Sequence, residues 1–220
     1  MNRARNSHRF AISLVSATFF VCLSSLTFLA AASWQRPAEP GDFDFYLFTL
    51  SWSPQFCASH KTNPECAGPG KSFVVHGLWP QWNNGQWPAN CSKAVGPTSP
   101  EQYSDLMESS LLQHEWTKHG TCANLDADQY FSLMRAVRES VTIPRVLGTL
   151  NHQIAESPQQ IKTAFVSANP KLKTEGIAIG CANGFLVDVE FCFDKSGKPI
   201  SCPVVKDCRN GKINIRPMSP

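Results

Sequence analysis

The sequence predicts an α+β fold: a central antiparallel β-sheet with helices clustered to one side, tied by four disulfides. Three observations predict it. Strand-like segments stand toward both ends of the 220-residue chain and helical patterns crowd its middle, the order of an α+β domain rather than a doubly wound parallel sheet. Beyond an apolar leader the cysteines are even in number, which reads as a disulfide framework. At 42% hydrophobic and 17% charged residues the chain can build a core and is not a disordered tail. No period of 20 to 50 residues repeats, which excludes solenoids and propellers.

The leader comes first. Arg3, Arg5 and Arg9 form a basic start, and an apolar run from Phe10 ends in Ala30-Ala31-Ala32, the small residues that signal peptidase prefers. Residues 1–32 therefore read as a signal peptide and 33–220 as one domain, in the periplasm or outside the cell. An uncleaved anchor is the competing reading, since about 20 apolar residues can span a bilayer. The leader holds three arginines and no acid, so its removal leaves 17 Lys and Arg against 17 Asp and Glu. The global positive field of a DNA-binding protein is then absent, and any nucleic acid must be met at a local site.

The elements follow in order. Residues 43–52 (FDFYLFTLSW) are aromatic and β-branched, as in a buried strand. Residues 53–71, with Pro54, Pro64, Pro69, Gly68 and Gly70, read as a loop clipped by Cys57 and Cys66. Residues 72–78 (SFVVHGL) read as a second strand with His76 at its end, and 79–98 as a turn-rich stretch holding Trp79, Trp82 and Trp87. Residues 99–119 read as one helix, capped by Ser99 with Pro100 at its first position and Gln102 as the capping-box partner. A strong amphipathic helix covers 126–141 behind an Asp cap. Another opens at Ser157-Pro158 and ends by Asn169-Pro170. Residues 184–194 alternate like a strand with one wet face, 195–197 turn, and 212–216 add a short strand. No linker divides the domain.

Cys22 leaves with the leader. Cys57, Cys66, Cys91, Cys122, Cys181, Cys192, Cys202 and Cys208 remain, the content of four disulfides in an oxidising compartment. Zinc is the alternative, but no C-x-x-C pair occurs. Eight cysteines allow 105 pairings, and bridges over 10 to 30 residues each stabilise by roughly 3 to 4 kcal/mol.

The densest set of reactive groups is residues 114–122, HEWTKHGTC. On a helix, His114, Lys118, Glu115 and His119 fall at about 0°, 40°, 100° and 140° and share less than half the circumference. A single i,i+4 pair is most often a solvated ion pair; two histidines, a glutamate and a lysine on one arc are less usual. The zinc motif H-E-x-x-H fails, because Lys118 stands where the second histidine is needed, and no G-x-S-x-G elbow occurs. The other stretch is FVVHGLWPQW at 73–82. Taken alone, His76 would be a structural histidine and Trp79 a core residue. Two separate histidine sites with a lysine nevertheless suit RNA cleavage by its own 2′-hydroxyl: one imidazole takes the 2′ proton, the other protonates the departing 5′ oxygen, and a cation offsets charge on the phosphoryl oxygens.

HGLWP at 76–80, WPANC at 87–91 and HEWTKHGTC at 114–122 resemble the ribonuclease T2 family, and the likeness extends over roughly residues 42–210. LSWSPQFC at 50–57 and the short loops resemble its bacterial members. The resemblance implies an α+β, disulfide-bonded, metal-independent endoribonuclease that needs no cofactor. It would cut single-stranded RNA through a 2′,3′-cyclic phosphate to a 3′-phosphate and leave DNA intact. A monomer, free of the membrane once the signal is removed, is expected. By resemblance His76 is the general acid and His119 the general base, Glu115 and Lys118 stabilise the phosphorane, and His114 binds phosphate. Trp79 and Trp87 would stack on a base; Gln81 stands where some members have Asp. Leu111 and Leu112 replace aromatic residues common in relatives, which implies an altered second base site. The family pairing implies Cys91–Cys122, Cys181–Cys208 and Cys192–Cys202, leaving Cys57–Cys66. The alternative is a catalytically inactive RNA-binding or toxin-like relative. His60 and His152 are expected at the surface, and the Asn90-Cys91-Ser92 sequon is expected to carry no glycan.

Overall fold

Six strands build one sheet: β1 (Phe45–Trp52), β2 (Phe73–Gln81), β3 (Ile154–Glu156), β4 (Ile177–Ala182), β5 (Phe185–Phe193) and β6 (Ile213–Ile215). Their order is β2-β1-β5-β6-β3, with β4 also paired to β5. All pairings are antiparallel except one parallel contact, Phe185 with Asn214. The computed structural model describes residues 38–68, 70–209 and 211–218. The proposed signal peptide lies outside them. Among the described residues no helix is long and apolar enough to cross a membrane.

The helices are α1 (Ser53–Ser59), α2 (Ser109–Lys118), α3 (Ala127–Glu139), α4 (Arg145–Gly148) and α5 (Pro158–Ala168). Alternation along β1 sends Tyr46, Phe48, Leu50 and Trp52 to one face, where they join Phe131 and Met134 of α3 and Phe165 of α5 in the main core. The other face carries a small apolar cluster of Phe45, Leu47 and Cys192, together with Ser51, Asp188 and Glu190. Both α3 and α5 start with reciprocal capping boxes, Asp126 with Gln129 and Ser157 with Gln160, which satisfy the otherwise orphaned first-turn N–H groups.

Three expectations need correction. Residues 53–59 are helical rather than loop, because Pro54 falls in the first turn, where a missing N–H costs nothing. The second strand runs on through Trp79 and Pro80 to Gln81; β2 is the edge of the sheet, where a strand proline is tolerated. The single helix expected over 99–119 is a 3₁₀ turn at Pro100–Tyr103 followed, after a break, by α2. Ser99 makes no cap bond, and the Glu108 carboxylate instead accepts the Ser110 N–H. Tyr103, Leu106 and Met107 are all buried across the break. β3, β4 and α4 carry no clear sequence signal, being short and lacking the caps and alternation that mark the others.

Four disulfides join Cys57–Cys66, Cys91–Cys122, Cys181–Cys208 and Cys192–Cys202. The second ties the 82–98 loop to the segment just after α2. Two hydrogen bonds reinforce it: Asn90 N–H to the Lys118 carbonyl at 2.9 Å and the Trp116 indole to the Ala94 carbonyl at 2.9 Å. The Cys91→Ala/Cys122→Ala double variant removes a closure spanning 31 residues and is expected to lose about 3 to 4 kcal/mol of unfolding free energy, measured by urea denaturation.

Candidate active site

His76 lies at an irregularity in β2. Thr49 of β1 pairs with Gly77 and the next residue, Leu50, pairs with Val75, so His76 has no partner in the ladder. It is the extra residue of a β-bulge, a device that re-aims a side chain. Its Nδ1 lies 3.2 Å from the Ser51 hydroxyl, which donates to Asp188 Oδ1 at 2.6 Å.

The second half of the site is the C-terminal turn of α2. Glu115 is 1% exposed and accepts the Trp79 indole N–H at 2.7 Å. This contact crosses Gly77, where any Cβ would overlap both the carboxylate and the indole. His119 caps the helix, its N–H donating to the Glu115 carbonyl at 3.0 Å, and is 5% exposed. Immediately after it, Gly120 admits the Trp116 ring to a spot that a side chain would fill. His114 stays exposed and Lys118 half-buried. The arc expected from helical spacing is thus split by depth: Glu115 and His119 lie inside, His114 and Lys118 at the rim.

One cavity of about 320 Å³ is lined by all eight residues expected from sequence: His76, Trp79, Gln81, Trp87, His114, Glu115, Lys118 and His119. The His76 and His119 rings lie against the same indole, with centroids 4.9 and 5.4 Å from that of Trp79. Trp79 is therefore a wall of the cavity and not a core residue. Trp87 is 54% exposed at the mouth, and Gln81 is buried. A second cavity of about 330 Å³ adjoins the other flank of His76 and includes Phe56, Asn63, Glu65, Leu111 and His114. His60 and His152 are exposed and line neither cavity.

Three acidic or hydroxyl groups were missed. Glu190 lines the first cavity, and Ser51 and Asp188 stand behind His76. The signal was the alternation of β5, which places Asp188 and Glu190 on one face. The alternation predicts a wet face, yet both residues are half-buried against β1.

Burial governs the ionisation here. It pushes the His119 imidazole down to about 3, helped by the positive charge of Lys118, His114 and His76. The His119 Nδ1 is also buried without a hydrogen-bond partner, so the protein offers no acceptor for a proton there. Burial pushes Glu115 up to about 7, against the opposing pull of the Trp79 N–H and Lys118, and lifts Glu190 to about 7, with Asp188 adding to the rise. His76 is lowered by burial first and drawn back up by Asp188. Such displaced values gathered in one cleft make it the candidate chemical site. A neutral imidazole, a second imidazole backed by a carboxylate, and a lysine can together move protons on either side of a bound anion.

The description "Ribonuclease T2 family" belongs to the family model that matches residues 43–202. A ribonuclease of Aeromonas hydrophila is 34% identical over 126 residues, covering 56% of this chain and 58% of its own. The extracellular ribonuclease LE of Solanum lycopersicum is 31% identical over 194 residues, covering 74% of this chain and 82% of its own. Ribonuclease MC1 from the seeds of bitter gourd has a similar solved structure, with a TM-score of 0.61 and 25% identity over 79% of this chain and 100% of that one.

The Glu115 carboxyl keeps its proton in the fold to about pH 7, above its ordinary 4.5. It therefore favours the native state most below pH 4.5, and that contribution is lost as pH rises through 7. Glu115→Gln cannot ionise. Its melting temperature relative to the parent should rise steadily between pH 4.5 and 7 in calorimetry.

Proposed function

This chain belongs to the ribonuclease T2 family, and from that premise we propose that it is an endoribonuclease cutting single-stranded RNA by attack of the 2′-hydroxyl on the adjacent phosphorus. The observation that carries the reading is the meeting of His76 and His119 at one indole in one cavity, although they stand 43 positions apart in sequence. The alternative of an inactive relative has no support in a cavity lined by both histidines, the glutamate and the lysine.

His119, neutral because burial holds its imidazole down to about 3, takes the 2′-hydroxyl proton. The 2′ oxygen bonds to phosphorus, and His76 in its charged form delivers a proton to the departing 5′ oxygen. The products are a 2′,3′-cyclic phosphate and a free 5′-hydroxyl. Water then attacks the cyclic ester with the two roles exchanged and leaves a 3′-phosphate. Below neutrality Glu115 retains its proton and donates a hydrogen bond to a phosphoryl oxygen instead of repelling it. Lys118 and His114 at the rim offset the charge that grows there. Trp79 and the exposed Trp87 offer flat faces to a base, each stack worth roughly 1 to 3 kcal/mol, and Gln81 supplies an amide beside them. No step calls for a metal ion.

Export to an oxidising compartment fits the apolar leader and the four disulfides. The Aeromonas relative supports the bacterial branch of the family.

Purified protein should degrade RNA in EDTA and leave DNA of the same sequence intact, since only RNA carries the attacking hydroxyl. Gel analysis showing DNA cleavage, or loss of RNA cleavage in EDTA, would sink the mechanism. His76→Ala and His119→Ala should each lower kcat/KM by roughly 10²- to 10⁴-fold. The rate–pH curve should be bell-shaped, its acid limb set by the depressed His119 and its alkaline limb by the proton on His76.

A further inference from the structure

His76 is the bulged residue of β2, so no ladder pairing fixes its backbone against β1. Its ring is tethered by side chains instead. Ser51 of β1 and Asp188 of β5 are cross-strand partners. Their side chains make a 2.6 Å hydrogen bond in which Ser51 donates, and the same hydroxyl oxygen is 3.2 Å from His76 Nδ1. A serine hydroxyl has one proton. With that proton given to Asp188, Ser51 can only accept from the ring, so Nδ1 carries hydrogen and the exchangeable position is Nε2 on the opposite edge of the imidazole.

We propose that Asp188, acting through the Ser51 hydroxyl, is the positioning residue for the general acid, fixing the tautomer and aim of His76 so that Nε2 is the nitrogen that donates to the departing 5′ oxygen. The inference rests on the endoribonuclease reading above. Asp188 lines neither cavity, and Ser51 borders the second cavity but not the one that holds Trp79 and His119. Of the charged groups around His76, Asp188 on β5 and Glu65 in the Pro64–Cys66 turn favour its protonation, while His114 and Lys118 on α2 oppose it; His119, at the end of α2, also interacts with it. Asp188 is the strongest of the favourable ones. Once the proton has left Nε2, the ring retains hydrogen on Nδ1 and presents a lone pair at Nε2, as the hydrolysis of the cyclic ester requires.

The test uses two substrates with the full-length enzyme. A dinucleoside phosphate has a poor leaving group that needs a proton. A nucleoside 3′-(4-nitrophenyl phosphate) has one that departs without it. Asp188→Asn and Ser51→Ala should each lower kcat on the dinucleoside phosphate by roughly 10- to 100-fold, part of the ~10²–10⁴ a general acid supplies. They should also move the alkaline limb of the rate–pH profile to lower pH and leave turnover of the nitrophenyl ester nearly unchanged. Ser51→Thr, which keeps the hydroxyl, should restore most of the loss. Ser51→Ala removes one oxygen and adds no bulk, so it tests the relay independently of any folding defect in Asp188→Asn. Equal losses on the two substrates, or no loss on either, overturn the relay. A parent enzyme inactive on both substrates would overturn the endoribonuclease reading instead.

Discussion

A buried carboxylate on a helix and an indole on an edge strand meet across a residue that has no side chain, and the rest of the site is arranged around that contact. The Trp79–Glu115 hydrogen bond joins β2 to α2, and Gly77 makes the approach possible. A buried carboxyl group left without a partner costs several kcal/mol, so the bond fixes both elements to which it belongs. Once they are fixed, the bulge brings His76 and the helix terminus brings His119 to the same indole.

Burial then divides the chemistry. Two imidazoles close to one indole would behave alike in water. Here burial, helped by positive neighbours, pushes one down to about 3, while the other, also lowered by burial, is drawn back up by the Asp188 carboxylate. The proposed division of acid and base roles between two identical side chains rests on these differences of environment. Glu115 follows the same logic in the opposite sense, its proton retained by desolvation.

The covalent framework serves this arrangement as much as it serves stability. The Cys91–Cys122 bridge lies three residues beyond His119 and holds the loop that supplies Trp87. Tyr130 of α3 donates to the Leu78 carbonyl at 2.6 Å from within the core, so β2 is braced from beneath at the residue before Trp79. The cavity is thereby walled by elements that are each fixed from outside it.

Much of the molecule was legible in the chain. Aromatic and β-branched composition marked β1, alternation marked β5, an amphipathic pattern behind an Asp cap marked α3, and the Ser157-Pro158 and Asn169-Pro170 boundaries marked α5. The α+β class followed from their order, and the eight cysteines from Cys57 onward form the four bridges present. Three short stretches, at 73–82, 87–91 and 114–122, hold all eight residues that border the first cavity with Leu47 and Glu190. Local rules failed where tertiary contacts override them: Pro80 stays in a strand because it is at the edge, and the expected 99–119 helix is interrupted between Tyr103 and Ser109, where the Glu108 carboxylate caps a new helix. Depth was likewise invisible, since helical spacing put Glu115 and Lys118 on one arc without saying that one is enclosed and the other half-exposed. The Ser51–Asp188 contact lies 137 positions apart in sequence. The amino-acid order determined which chemical groups were available and which segments would be strands or helices, because those are short-range properties of the backbone and side chains. Only the tertiary structure decided which groups meet and which lose their water, because pairing across a sheet and desolvation depend on residues that sequence distance does not connect.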